Sequence, residues 1–239
     1  MDIKKQYFDA VKKRIEEAYD LQAEKLKTVA SMFGECMENG GVVQLVGYKH
    51  DEEFVNELNY RAGGIAPYHA IKLKDMMLKG LIKAEDIESG KVFEDYSLID
   101  KIPQAYQLDS RDMYVIVDFY GNKPLFVELA KRMKEEGHKV IGVVNKKTYD
   151  EKGGTLLDYC DEYLDMCGDT KDVALDIDGI KVDQLSSTIT NITAQELTAE
   201  VYSYYVSRGK EAPVLLSANI KGADIHNNSL TDPYERRVR

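Results

Sequence analysis

Leu45-Val46-Gly47-Tyr48-Lys49-His50-Asp51-Glu52-Glu53-Phe54 (LVGYKHDEEF) decides the fold, because it reads as a strand end, a glycine turn and the first turn of a helix. A strand passing into a helix through glycine opens a βαβ unit. The helix start offers an anion unpaired N–H groups and about half a positive charge. Here Asp51, Glu52 and Glu53 fill that turn. Carboxylates in this position satisfy the orphan N–H groups and the helix dipole, at about 0.3–1 kcal/mol each. The stretch therefore predicts a self-capped helix, with its own acids standing where a bound anion would sit.

Outward from this turn the unit completes itself. Residues 42–46 form a short apolar strand, 51–61 a helix, Ala62-Gly63-Gly64 its stop, and 68–71 a second strand. Upstream, Phe8, Val11, Ile15, Ala18, Gln22, Leu26, Val29, Phe33 and Met37 recur at three- and four-residue steps, one face of a helix that ends at Asn39-Gly40-Gly41. A helix of about 35 residues exceeds the usual globular length. Its stripe is expected to pack partly on its own domain and partly on a second subunit, or to break once.

Downstream, residues 72–110 are charged and only locally periodic, around Met76, Met77, Leu78, Leu81 and Ile82, and predict a helical insert or lid. Residues 113–119 read as a buried strand, Asn122 as an N-cap, Pro124 as a first helical residue, 125–136 as a helix closed by Gly137, and 139–145 as the next strand. Weaker strands follow at 162–166 and 174–177, then a long helix over 186–207 entered through Ser186-Ser187-Thr188. Strands alternating with helices predict an α/β fold whose parallel sheet is covered on both faces. Ligands in such folds sit at the carboxyl ends of the strands, near the switch in strand order. Three loops matter for that reason: those after Val46, after Val117 and before Ser187.

Composition excludes several classes. The 239 residues are 44% apolar and 31% charged with no low-complexity tract, which fits one domain over 1–239 with residues 1–39 as a helical arm. Apolar runs such as Tyr114-Val115-Ile116-Val117 are too short to span a bilayer. The start MDIKKQYFDAVKK has no apolar stretch behind its charges, and the three cysteines lack metal-type spacing, so a reduced, cytoplasmic protein without a secretory signal is expected. A net charge of −10 disfavours nucleic acid as a partner. No cofactor is expected, since Gly47 does not open a GxGxxG turn, and no serine or cysteine stands in a nucleophile elbow. His50, Asp51, Glu52, Glu57, Asp118 and His226 offer nitrogen and oxygen donors but no metal-ligand spacing, so no metal is expected either.

Two stretches carry a resemblance. LNYRAGGIAP (58–67) and LLSANIKGADIHNNSL (215–230) resemble the SIS (sugar isomerase) domain family, and within it a small bacterial subgroup of uncharacterised phosphosugar-binding proteins with ELxxRAGGxxP and SANxxGxDxHN anchors. The resemblance implies a flavodoxin-like α/β/α sandwich with a five-stranded parallel sheet, usually dimeric, that binds sugar phosphates at the strand ends. It leaves enzyme versus sensor open.

The departures from the family pattern are informative. The first loop of the subgroup resembles GTGHS, and Gly47-Tyr48-Lys49-His50-Asp51 keeps the glycine and histidine but has an acid for the hydroxyl. The family's second loop is serine-rich, whereas Asp118-Phe119-Tyr120-Gly121-Asn122 has no serine. Only Ser186, Ser187 and Thr188 keep their hydroxyls. A phosphate carries about −1.5 to −2 charge and favours neutral or cationic donors, so Lys49 and Arg61 are candidate compensating cations.

Aldose–ketose isomerisation needs a base near C1/C2 and an acid on oxygen. Glu57 is the candidate base, and His50 or His226 the candidate acid, with Asn227 as a further ligand contact. His69 and His138 have no supporting context. Two functions remain: a phosphosugar isomerase or lyase, and a non-catalytic binding or regulatory protein whose ligand is a phosphorylated or an amino sugar. A homodimer is expected in either case.

Overall fold

Short runs, aliphatic at their centre, become the strands β1 (Val43–Val46), β3 (Met113–Val117) and β4 (Val140–Val144), and more mixed ones β2 (Tyr68–Ile71) and β5 (Glu162–Asp165), in a computed structural model that describes residues 2–167 and 173–238. The first four are buried along their whole length, as strands covered on both faces must be. They form one sheet in the order β2-β1-β3-β4-β5, and every pair is parallel. Val43 stands opposite Tyr68 on one side and Met113 on the other. The chain leaves β1 in one direction for β2 and returns on the opposite side for β3. This reversal opens a crevice beyond the carboxyl ends of β1 and β3.

Nine α-helices accompany the sheet among the described residues: α1 (Ile3–Glu38), α2 (Glu52–Leu58), α3 (Leu73–Leu78), α4 (Ala84–Glu88), α5 (Ser97–Ala105), α6 (Pro124–Glu135), α7 (Lys146–Lys152), α8 (Ser186–Val206) and α9 (Ala223–Thr231). On one face Leu26, Val29 and Phe33 of α1, Phe54 and Leu58 of α2, and Leu197 and Val201 of α8 meet Val43, Leu45 and Val115. On the other, Met76, Leu98, Ile102, Phe126 and Leu129 from α3, α5 and α6 meet Val46, Tyr114 and Ile116. The 72–110 segment therefore supplies core to this second helical layer. Pro124 opens α6 as expected, but its N-cap is Lys123 rather than Asn122.

The first helix runs unbroken for 36 residues. Its buried side begins only at Ala18, and Phe8 is 65% exposed, so the first half stands off the sheet as an arm. By contrast α2 is shorter than its sequence pattern, ending at Leu58 instead of continuing to Arg61. Tyr60 adopts a left-handed φ of 42° as the chain turns out of the helix. The reason is a backbone pairing beyond it: Gly63 N–H donates to Leu215 O (2.8 Å), Leu215 N–H to Gly64 O (2.9 Å), and Ala66 N–H to Pro213 O (2.8 Å). The expected strand at 174–177 also lies elsewhere. β6 (Val173–Ile177) pairs antiparallel with β7 (Ile180–Gln184) through Asp178-Gly179, both at positive φ, in a separate hairpin.

Helices α1 and α8 approach closely because position 34 has no side chain. A Cβ there would lie 2.2 Å from the Tyr204 ring, which is 6% exposed between the two helices. Gly34→Ala is expected to cost about 1–3 kcal/mol through overpacking, read as a lowered midpoint in urea unfolding. An unchanged midpoint would mean that the two helices do not meet at Tyr204.

Candidate functional site

The crevice is built first by Gly47. A Cβ at this residue would sit 2.7 Å from the carbonyl oxygen of Asp51, so only glycine lets the chain double back after β1 into a 3₁₀ turn at Lys49–Asp51. Tyr48 leaves that turn to rest against Phe93, with ring centroids 5.0 Å apart. Lys49 takes a left-handed φ of 55°, is exposed, and holds its ammonium 5.2 Å from the Tyr48 ring centre.

His50 points the other way. Its Nε2 lies 2.8 Å from Ser186 Oγ and its Nδ1 3.3 Å from Ser187 Oγ, while the Phe119 ring stands 6.1 Å off. A hydroxyl both donates and accepts, so the two serines satisfy either imidazole tautomer. Ser186 is fully buried, whereas Ser187 and Thr188 are half-buried on the first turn of α8. The first and third loops thus meet at a helix N-terminus that presents hydroxyls and an imidazole together.

The second loop joins them through a residue that the sequence reading does not single out. Lys123 Nζ donates to Asp51 Oδ2 at 2.8 Å and to Asp118 Oδ1 at 2.5 Å. Asp118 Oδ2 accepts the Lys123 backbone N–H (2.8 Å), and Asp51 Oδ1 accepts the Phe119 N–H (3.2 Å). Asp118 has no exposed surface and Asp51 is 4% exposed. One ammonium therefore serves two buried carboxylates, leaving one excess negative charge. Burial lifts Asp51 above the ordinary carboxylate range against the pull of Lys123. Burial likewise lowers Lys123, but Asp118 and Asp51 outweigh it and hold the ammonium above the usual lysine value.

This corrects the self-capping expectation. No side chain caps α2, and the Asp51 carboxylate is directed across the crevice to Lys123 instead. Asp118 does bond a backbone N–H at a helix entrance, that of α6. Glu52 is raised by its burial, and one Glu53 carboxylate oxygen is buried with no hydrogen-bond partner among the described residues. The signal for Lys123 was present, since a lysine five residues after the acid of one loop can reach the acid of the other. Only strand order shows that the two loops are adjacent.

Gly121 completes the second loop by donating to Asp118 O and accepting from Thr155 and Leu156, and Asn122 is exposed beside it. The remaining candidates lie apart from His50. Glu57 occupies the last turn of α2, where it pairs with Arg61 and accepts from Gln195 of α8 at 2.6 Å. His226 Nε2 donates to Val214 O (2.9 Å), and Asn227 bonds both backbone groups of Leu216 (2.8 and 2.9 Å). These two hold the segment that pairs with residues 63–66. Among the described residues no three His, Cys, Asp or Glu side chains gather as a metal site.

Removing the shared cation is expected to be costly. Lys123→Met leaves two buried carboxylates uncompensated, a loss of about 3–5 kcal/mol. A folded-state pKa raised above the unfolded value, as at Asp51, favours the fold at low pH and loses that contribution as pH rises through it. Urea melts should therefore show the deficit largest near neutrality and smaller in mild acid. A deficit independent of pH would remove the electrostatic reading.

Known proteins agree with this architecture. The SIS domain model matches residues 6–145. A UPF0309 protein of Caldanaerobacter subterraneus subsp. tengcongensis is 30% identical, with 98% of each chain covered, and one of Halalkalibacterium halodurans is 28% identical over 97% of this chain and 94% of the relative. Among solved structures, a phosphoheptose isomerase from Francisella tularensis superposes with a TM-score of 0.55 at 15% identity, covering 84% of this chain and 96% of that one. The phosphoheptose isomerase of Neisseria gonorrhoeae does so with a TM-score of 0.53 at 14% identity, covering 82% and 94%. At these identities the two structures speak for the fold. The doubly covered five-stranded sheet, the family model over more than half the chain and the full-length relatives agree: the chain belongs to the SIS domain family, alongside the UPF0309 proteins.

Proposed function

We propose that the protein binds a sugar phosphate, or a closely related carbohydrate derivative, in the crevice between β1 and β3. The observation that carries this reading is the bonding of His50 to both Ser186 and Ser187 at the start of α8. Buried Ser186 holds the imidazole. Ser187 and Thr188 then seat the phosphate, where hydroxyls and the helix field act together. An ammonium has three N–H groups. Two on Lys123 go to Asp51 and Asp118, and the third serves the ligand, replacing the hydroxyls that the second loop lacks. Gly47, Gly121 and Asn122 frame the sugar, whereas Tyr48 and Lys49 lie on the side away from His50.

Whether chemistry follows depends on the proton-transfer groups. His50 is the titratable group beside the hydroxyls, while Glu57 is held by Arg61 and Gln195 at the far end of α2. That engagement favours a binding or regulatory role as the second reading, with the isomerase or lyase reading requiring a second copy to bring Glu57 or His226 to the crevice. The exposed arm of α1, with Phe8 outward, supports such a homodimer. Three free cysteines accord with a reducing cytoplasm, and no helix among the described residues is long and apolar enough to cross a membrane.

A thermal-shift panel of sugar 6-phosphates, the free sugars, amino sugars and inorganic phosphate tests the binding. A ligand at a hundred times its Kd stabilises the fold by about 2.7 kcal/mol. Phosphosugars are expected to raise the Tm, and Ser187→Ala and His50→Ala to weaken that response about tenfold or more. A response to free or amino sugars alone would sink the phosphate assignment. Loss of the C2 proton signal of a bound phosphosugar in D₂O would mark an enzyme, and its retention a binder. Light scattering on a chain starting at residue 14 is expected to show monomers, and an unchanged dimer would place the interface elsewhere.

A further inference from the structure

A histidine with no motif around it stands over a second cavity, on the edge strand and away from the β1–β3 crevice. His69 lies on β2 and faces the α3–α5 layer, as its neighbour Ile71 does, whereas Tyr68 and Ala70 face the other side. It is 8% exposed. The half-open cavity beside it measures about 640 Å³ and is also lined by Asp75, Lys79, Gln104, Tyr106 and Gln107.

The hydrogen bonds behind the ring determine its protonation. Asp112, fully desolvated on β3's approach, accepts from the Val42 N–H (2.9 Å), from Gln44 Nε2 (2.9 Å) and from Arg237. An ionised carboxylate only accepts, so Gln44 must give it the NH₂ and present its carbonyl oxygen to His69. Gln44 Oε1 is 2.7 Å from His69 Nδ1, which therefore carries the proton. Burial pushes the imidazole down to about 4, so near neutrality the ring is uncharged and Nε2 is a bare acceptor. That nitrogen has no hydrogen-bond partner among the described residues.

The surroundings narrow what could meet it. Tyr106 stacks edge-on against the ring at 5.0 Å and bonds Asp75 Oδ2 through its hydroxyl (3.2 Å). Lys79 crosses the same tyrosine ring at 5.0 Å and donates to Ala105 O. One carboxylate and one ammonium cancel, so the cavity selects neither anion nor cation by net charge. It offers a fixed acceptor at Nε2, a second acceptor at Asp75 and a donor at Lys79. That set matches adjacent hydroxyl groups, each of which donates to one partner and accepts from another.

We propose that this cavity is a second binding site, for a small neutral polyhydroxylated molecule, with a ligand hydroxyl donating to His69 Nε2. The site is independent of the phosphate crevice, so either assignment can fail alone.

The experiment is side-chain ¹⁵N NMR of the full-length, histidine-labelled protein titrated with glycerol, inositol and unphosphorylated hexoses, with Zn²⁺ alone as a separate arm. His69 Nε2 is expected to begin as an unprotonated resonance and to move, saturably, with a polyol, while His50, His138 and His226 stay in place. His69→Asn retains an N–H for Gln44 but has no Nε2, and is expected to weaken binding about tenfold, equivalent to about 1.4 kcal/mol. Lys79→Met, an exposed change that leaves the core intact, is expected to weaken it less. No saturable movement with any polyol, equal affinity in His69→Asn, or a response to Zn²⁺ alone would each overturn the proposal.

Discussion

The arrangement of the crevice depends on one ammonium held between two buried carboxylates. Strand order brings the turn after β1 beside the turn after β3, each with an aspartate at the meeting point. Without Lys123 these acids would repel across a desolvated gap. With it they become a clamp: Asp51 holds the Phe119 N–H and Asp118 the Lys123 N–H, so both loops are tied at backbone level. Buried ion pairs seldom add much net stability, because desolvation offsets the attraction. What this one supplies is geometry, since His50 directly precedes Asp51 and is carried with it against Ser186 and Ser187.

The two ends of the sheet carry different kinds of polar residue. At the carboxyl ends, two hydroxyls meet an imidazole, and a partly exposed lysine meets two acids. At the amino ends, polar groups mostly satisfy one another. His226 and Asn227 hold residues 214–216, which pair with residues 63–66, and Asp112 gathers Val42, Gln44 and Arg237. The anchors at 58–67 and 215–230, far apart in the chain, are the two halves of one backbone pairing. Within a single chain their work is structural, which explains why such exposed, polar stretches need particular residues. His69 is the exception at this end, with one nitrogen satisfied by Gln44 and the residue lining a cavity.

Much of this was legible in the sequence because it rests on local periodicity and turn chemistry. The strand runs, the heptad-like stripe of α1, Pro124 at the start of α6 and the Ser-Ser-Thr entry of α8 follow from neighbours within a few residues, and the SIS resemblance supplied the parallel five-stranded sheet. Errors came where distant contacts overrode local pattern. The helix at α2 ends early because residues 63–66 are taken by a segment some 150 positions away. The strand at 174–177 found its partner in an adjacent hairpin instead of the sheet, because Asp178-Gly179 makes a two-residue reversal.

The site divides along the same line. That His50 and the serine cluster belong to the loops at the strand ends follows from their place in the sequence, as does the replacement of hydroxyls by acids in two of those loops. What those acids do could be decided only by tertiary structure. Charge neutralisation acts through space over a few ångströms, and which lysine reaches which carboxylate depends on strand order, a property that no local stretch encodes. The same holds for His69, whose protonation is dictated by Gln44 on the neighbouring strand β1 and, through it, by Asp112 just before β3. Sequence determined which chemical groups this protein has at its loops, and the sheet's topology decided which of them meet.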